Sequence, residues 1–357
     1  MTDFHNLRIA DIYKETEDTS VITFDVPKEL HQEFAFHQGQ HLTLKADIND
    51  EDVRRSYSLC SSPIDKHWKV AVKKILGGKF STFVNEKLKT GDTLEVMAPR
   101  GFFGVECQPE KAKNYLFFVA GSGITPVLSM VKTHLEVEPN STCKLFYVNK
   151  TAKSIIFKEE LEQLRNTYFG RFEIYYFLTK EKRDIELFNG RFDDDKMQVL
   201  TKTFIDIPDT NEVFLCGPEN MINFVIDYLV NAGLSKDLLH FELFVKGLSE
   251  EDIKRAERLA QQNVEGTEVT IVDGGKEFLF TMTKEFDNIL DAALDAGADL
   301  PFACKGGVCS TCKCEVKEGE VEMKINYALD EKEVSQNLVL SCQAVPTTDK
   351  VVVDFDV

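Results

Sequence analysis

Cys304, Cys309, Cys312 and Cys342 follow the spacing C-x4-C-x2-C with a lone fourth cysteine far downstream. One loop offering three thiolates, completed by a single distant one, is the ligand pattern of a 2Fe-2S cluster, a carrier of one electron at a time. Gly306 and Gly307 let the loop backbone fold closely and turn its N–H groups toward the sulfurs, which tunes the reduction potential. Zinc is the competing reading, but zinc sites usually pair two C-x2-C arms. A Rieske centre would need two histidines in place of two cysteines, and none of the seven histidines lies near them in sequence. Cys314 is the ambiguous thiol, while Cys60, Cys107 and Cys143 read as inert, buried ones.

Further stretches suit phosphorylated cofactors that could load such a cluster. In Arg54-Arg55-Ser56-Tyr57-Ser58-Leu59, alternate side chains of a strand share a face, so Arg55 and Tyr57 can point together. Arg55 could neutralise a phosphate, Tyr57 could stack on a flavin ring and Ser58 could offer a hydroxyl to the ring's polar edge. An exposed strand is the plain alternative. Gly77-Gly78, opening a helix, is a turn whose N–H groups can hold a phosphate, or an ordinary β-to-α connection. Gly121-Ser122-Gly123-Ile124-Thr125-Pro126 has the same ambiguity: a pyrophosphate cradle with Pro126 in the first helical turn, or a simple link. Cys216-Gly217-Pro218 ends a strand where ligands bind in parallel sheets, so Cys216 reads either as a site thiol or as a core residue. Glu242, among apolar neighbours in His240-Phe241-Glu242-Leu243-Phe244, reads on its own as a surface strand carboxylate.

The elements that must position these residues fall into three grammars. Residues 1–108 alternate in short strands, Leu7–Ile12, Val21–Asp25, His41–Ala46, Arg54–Leu59, Trp68–Val72 and Thr93–Met97, with one helix at Phe80–Leu88; this predicts an antiparallel β-barrel. Residues 109–245 alternate apolar runs with helical periodicity: Tyr115–Ala120, a helix over Val127–Leu135, Lys144–Val148, a helix over Lys158–Arg165, Phe172–Phe177, Val213–Cys216 and a helix over Glu219–Leu229. That is an α/β parallel-sheet domain suited to a nucleotide. The charged stretch 246–266 reads as a linker, partly helical. Residues 267–357 hold strands at Glu268–Val272, Glu277–Met282, Val339–Ser341 and Val351–Phe355, a helix over Ile289–Ala296 closed by Gly297, and the cysteine loop.

Composition narrows the class. The net charge of -18 argues against nucleic-acid binding, which needs clustered Lys and Arg. Residues 265–357 carry 19 Asp and Glu against 8 Lys and no Arg, so 11 of the 18 excess negative charges sit with the cysteines. Such an end either keeps the protein soluble or steers it to a basic redox partner. No apolar run approaches the roughly 18 residues of a membrane helix, and the N-terminus lacks the order of a secretory signal. A cytoplasmic protein without membrane contact is the expectation.

In this order, the motifs resemble the ferredoxin-NADP reductase family fused to a C-terminal plant-type ferredoxin. Within it the likeness is nearest to the reductase components of ring-epoxidising oxygenases acting on phenylacetyl-CoA. It is carried by Gly39-Gln40-His41-Leu42-Thr43-Leu44-Lys45, Ala120–Pro126, Leu300–Cys309 and Val351–Asp356. The resemblance implies a flavin barrel, a nucleotide-binding α/β domain and an α+β β-grasp ferredoxin domain. It implies that Arg55, Tyr57 and Ser58 bind FAD, with FMN as the family's alternative, and that the turn from Gly77-Gly78 to Ser81 holds its pyrophosphate. Gly121, Gly123, Thr125 and Pro126, with Cys216, Gly217 and Pro218, would hold the nicotinamide nucleotide, and Ser58, Cys216 and Glu242 would border the transfer path to the flavin. Lys150, a cation after the second strand where an NAD site favours an acid, leans the choice to NADPH over NADH. The implied activity is an NAD(P)H-dependent reductase passing electrons through FAD and the 2Fe-2S cluster to a diiron oxygenase docked on the acidic domain. Reductases of other aromatic-ring hydroxylases or monooxygenases, and a non-catalytic redox-sensing module, are the rival readings.

Overall fold

Alternation in Phe4–Thr16 buries Leu7 and Ile9 while their neighbours face water, and this strand, β1, becomes the spine of a six-stranded antiparallel sheet. The computed structural model describes residues 4–101, 103–244, 252, 254–256, 258–259 and 266–357. With β2 (Thr19–Asp25), β3 (His41–Asp47), β4 (Asp52–Ser58), β5 (Trp68–Lys73) and β6 (Thr93–Arg100), the sheet order is β4-β3-β6-β1-β2-β5. A bridge between Leu59, just past β4, and Val70 of β5 joins the two outer strands, so the sheet curls into the expected barrel. Phe24, Phe34, Leu42, Leu44, Trp68 and Phe80 fill it, and α1 (Lys79–Glu86) packs Phe80 and Val84 into the same core.

The parallel sheet is built on near-continuous apolar runs, as burial on both faces requires. Its strands are β7 (Asn114–Ala120), β8 (Thr142–Asn149), β9 (Phe172–Leu178), β10 (Glu212–Cys216) and β11 (Leu239–Glu242), in the order β11-β10-β7-β8-β9. Helices α2 (Ile124–Val137), α3 (Lys158–Thr167), α4 (Asp194–Thr203) and α5 (Glu219–Asn231) connect them. Phe117, Phe118, Phe146 and Phe214 are completely buried, each worth roughly 1.5–3 kcal/mol over an exposed position.

The barrel and this sheet belong to one compact unit of residues 5–53 and 57–244. Polar contacts clamp α2 to the barrel: Ser129 Oγ donates to Ser61 O at 2.6 Å, Ser62 and Thr133 hydroxyls meet at 2.9 Å, and Lys132 pairs with Asp65 at 2.5 Å. The linker expected at 246–266 lies largely outside the described residues. The C-terminal unit has a mixed sheet of β12 (Thr267–Asp273), β13 (Lys276–Met282), β14 (Lys313–Glu318), β16 (Leu338–Leu340) and β18 (Lys350–Asp354), in the order β13-β12-β18-β14-β16. A separate ribbon pairs β15 (Val321–Met323) with β17 (Ala344–Pro346). Of the unit's helices, Ile289–Asp295 is capped by Asn288, whose side chain accepts the Asp291 N–H. Among the described residues no helix is long and apolar enough to cross a membrane.

Candidate functional site

In sheet order the chain runs from β7 outward through β8 and β9, then returns to the other flank of β7 for β10 and β11. The reversal falls between β7 and β10, and ligands in open α/β sheets bind beyond the carboxyl ends of strands at such a point. The sequence puts its two glycine turns there. An added Cβ on Gly123 would stand 2.2 Å from Cys216 O, and one on Gly217 would stand 3.0 Å from Ala120 Cβ. Only glycine lets the two turns interlock. Gly121 takes φ +55, and the Tyr147 hydroxyl donates to its carbonyl at 2.8 Å. Thr125 Oγ1 donates to Ser122 O at 3.0 Å. No side chain caps α2, and Pro126 lies in its first turn, so a phosphate could take the N-terminal N–H groups.

Cys216 and Glu242 are register partners on β10 and β11, and Ser58 Oγ of the barrel donates to Glu242 Oε2 at 3.4 Å. The three residues expected along the transfer path thus meet. Cys216 is completely enclosed, and burial followed by the Glu242 charge pushes its thiol well above the ordinary range, so it stays protonated. Lys150 is exposed at the carboxyl end of β8, where its carbonyl accepts the N–H of Lys180. Pro218 is exposed and caps α5. A hollow of about 500 Å³ lined by Asp194, Phe224, Asp227 and Tyr228 contains none of these residues.

On the barrel, Arg55 is exposed, Tyr57 is half-buried with its ring 5.8 Å from Phe80, and Ser58 is buried. Gly78 is the N-cap of α1, which no side chain caps, and an added Cβ there would collide with Ser81 Oγ and Ile75 Cγ1, both at 2.5 Å. Gly77 takes φ +74. Ser81 Oγ accepts the Ile75 N–H and donates to Gly78 O, locking the turn. Ile75 and Leu76 expose 54% and 106% of their surface beside this turn, an apolar rim that sequence reading missed.

In the C-terminal unit Cys304, Cys309 and Cys312 lie on one loop, and each of the four thiols is influenced by another of the set, Cys304 by Cys309 and Cys342 by Cys312 most strongly. Four mutually close thiols, three from the loop and one distant in sequence, fit an all-cysteine 2Fe-2S cluster. Cys304 Sγ accepts the Gly306 N–H at 3.3 Å, and Gln343 Nε2 lies 3.6 Å from Cys342 Sγ. Lys305, Gly307 and Ser310 take positive φ, wrapping the loop around the sulfurs. Cys312 and Cys342 are buried, whereas Cys304 and Cys309 are half-exposed. Cys314, the ambiguous thiol, lies in the hydrophobic core, and burial pushes its thiol far up.

Family models for an oxidoreductase FAD-binding domain, an oxidoreductase NAD-binding domain and a 2Fe-2S iron-sulfur cluster binding domain match residues 6–104, 117–227 and 271–347. The chain is 42% identical over its whole length to a component of the 1,2-phenylacetyl-CoA epoxidase of Escherichia coli, covering 99% of that protein. It belongs to the ferredoxin-NADP reductase family with a C-terminal ferredoxin domain. A second family relative is the ferredoxin reductase component of 3-ketosteroid-9-alpha-monooxygenase from Rhodococcus rhodochrous, 33% identical over 98% of this chain and 96% of that one. The fold of this reductase-family chain is shared by phthalate dioxygenase reductase, with a TM-score of 0.59 and 24% identity over 99% of this chain and 98% of that chain. As a family member the chain is an electron-transfer oxidoreductase whose cofactors are FAD, a pyridine nucleotide and a 2Fe-2S cluster.

Proposed function

We propose that this protein is the reductase component of a multi-component diiron oxygenase, drawing electrons from NADPH for the epoxidation of phenylacetyl-CoA. The observation that carries the assignment is the 42% identity, spanning the whole chain, with a component of a phenylacetyl-CoA epoxidase. When bound, FAD and the cluster together convert a two-electron donor into single electrons. The chain's own residues position and shield. Arg55 and the Gly77-Gly78 turn with Ser81 would hold the flavin phosphates, Tyr57 the ring, and Ser58 its polar edge. Gly121, Gly123, Thr125, Pro126, Gly217 and Pro218 would cradle the nucleotide, while Glu242 and the enclosed Cys216 keep the nicotinamide pocket dry and oriented. Lys150, with Lys180 beside it, favours a 2′-phosphate. The proposed domain limits follow the three folds: 1–108 for the FAD barrel, 109–245 for the nucleotide domain, 246–266 for the linker and 267–357 for the ferredoxin domain.

The acidic C-terminal region would meet a basic face on the oxygenase. Reconstitution with purified candidate diiron oxygenases tests this reading. Epoxide should form from phenylacetyl-CoA with NADPH, and the KM for the oxygenase should rise with salt while ferricyanide reduction stays level. Support of another hydroxylase but not the epoxidase would reassign the partner, and absence of steady ferricyanide reduction would favour a redox-sensing module. Lys150→Ala should raise the KM for NADPH several-fold and leave that for NADH unchanged.

A further inference from the structure

We propose that Cys107, His134 and Glu138 form a binding site for a thiophilic divalent cation of the zinc class, separate from the four-cysteine loop. Cys107 lies on the segment between β6 and β7, and His134 and Glu138 stand one turn apart at the end of α2. Because α2 runs back from the carboxyl edge of the sheet, this cluster sits at the opposite edge from the nucleotide turns, beside Tyr115 near the start of β7.

Two of the three donor–donor distances match the edges of a zinc tetrahedron. His134 Nδ1 stands 3.4 Å from Cys107 Sγ and 3.5 Å from Glu138 Oε1, and all three donor atoms lie within 4.8 Å of one another. Zinc bonds of about 2.3 Å to sulfur and about 2.0 Å to nitrogen and oxygen set tetrahedral edges of about 3.6 Å and about 3.3 Å. Both measured edges agree to a few tenths of an ångström. A single ring nitrogen has one proton or one lone pair in the ring plane, so it satisfies a thiol or a carboxylate, whereas a cation satisfies all three at once.

The surroundings are built to hold those donors. Tyr115 OH donates to Glu138 Oε2 at 2.9 Å and Oε1 at 3.0 Å, the Gln108 N–H donates to Oε1 at 2.7 Å, and Gln38 Nε2 reaches Cys107 Sγ at 3.7 Å. Ligating side chains carry outer hydrogen bonds of this kind, which fix their lone pairs. The His134 ring is completely buried, stacked 4.3 Å from Tyr115, and its Nε2 has no hydrogen-bond partner, so its polar engagement runs through Nδ1 into the cluster. Cys107 is half-exposed, which leaves the fourth position to water from the solvent side. Binding releases the Cys107 proton to solvent and forms the metal–thiolate bond; no electron moves. The ion braces the segment leaving the barrel against α2.

The test uses the intact holoprotein, dialysed against zinc chloride, with bound zinc, iron and flavin counted. Wild type should retain about one zinc per chain. Cys107→Ser and Glu138→Gln, which remove ligands, should each weaken binding by at least the roughly 10–100-fold that loss of an outer-shell partner costs, with iron, flavin and ferricyanide turnover unchanged. Zinc K-edge absorption should show one sulfur at about 2.3 Å with nitrogen and oxygen neighbours. If Glu138→Gln fails to fold, Cys107→Ser and the absorption spectrum still decide. Equal zinc binding by wild type and Cys107→Ser, a zinc shell with no sulfur, or a four-sulfur shell indicating the cysteine loop would each overturn the proposal.

Discussion

Ser58 and Glu242, 184 residues apart in sequence, meet at 3.4 Å, the serine hydroxyl donating to the carboxylate. The contact ties barrel strand β4 to edge strand β11, and Glu242 lies in register with the enclosed Cys216. Ser58→Ala and Glu242→Ala are each expected to slow NADPH-driven flavin reduction on the order of tenfold, equivalent to about 1.4 kcal/mol. Because the two residues share one hydrogen bond, the double variant should lose less than the sum. Stopped-flow flavin bleaching measures this, and strictly additive losses would refute a shared role.

Gly123→Ala forces a Cβ to within 2.2 Å of Cys216 O, a backbone atom that cannot step aside cheaply. The expected result is a loss of roughly 1–3 kcal/mol in stability, in line with overpacked cores, and a weakened affinity for NADP⁺ with flavin content retained. Thermal melting and nucleotide difference spectra report the two effects separately. Unchanged nucleotide binding would mean that the interlocked turns do not form the cradle.

These two sites show what was legible in the sequence. Gly121–Gly123 and Cys216–Gly217 carry signals in their local pattern, and the structure interlocks the two turns; the four cysteines, whose signal is their spacing, all lie in the C-terminal unit. The six barrel strands and four of the five parallel strands also emerged, most with ends short by one to a few residues because terminal polar residues such as Lys14 and Arg100 continue a ladder without apolar alternation; β11 was not delimited. Helix α4 was not read. Met197 and Leu200 alone are buried in it, too few to show a period, although Asp193, whose side chain accepts the Lys196 N–H, is a capping signal. The contact between Ser58 and Glu242, and the cluster of Cys107 with His134 and Glu138, depend on tertiary packing that no local pattern encodes.

Cys314 and Cys342 make opposite predictions. Cys314→Ala should keep the full iron and sulfide complement and cost on the order of 1 kcal/mol, the loss of one small core group. Cys342→Ser should lose the cluster's visible absorption, and chelation of iron from wild type should reproduce that loss while flavin reduction by NADPH survives. Iron and sulfide assays decide; a Cys314→Ala protein without cluster would make Cys314 a ligand.

His41 gives the barrel a pH dependence. Burial, reinforced by the Arg100 charge, lowers its pKa from 6.5 to about 4, so the folded ring stays neutral. As pH falls through 6.5 the unfolded chain takes up a proton that the folded chain refuses until about 4. Stability therefore declines across that window, by up to about 3 kcal/mol. The midpoint of urea unfolding should fall accordingly between pH 6.5 and 4 in wild type and fall less in His41→Asn. Equal slopes would remove His41 as the cause.

The central claim is that one chain takes electrons from a nicotinamide nucleotide and delivers them, through its flavin, to its own 2Fe-2S cluster. Anaerobic mixing of the holoprotein with NADPH, followed by flavin absorbance and freeze-quench EPR, tests it most directly. The account predicts loss of flavin colour followed by the signal of a reduced 2Fe-2S cluster; flavin bleaching with no such signal would contradict it.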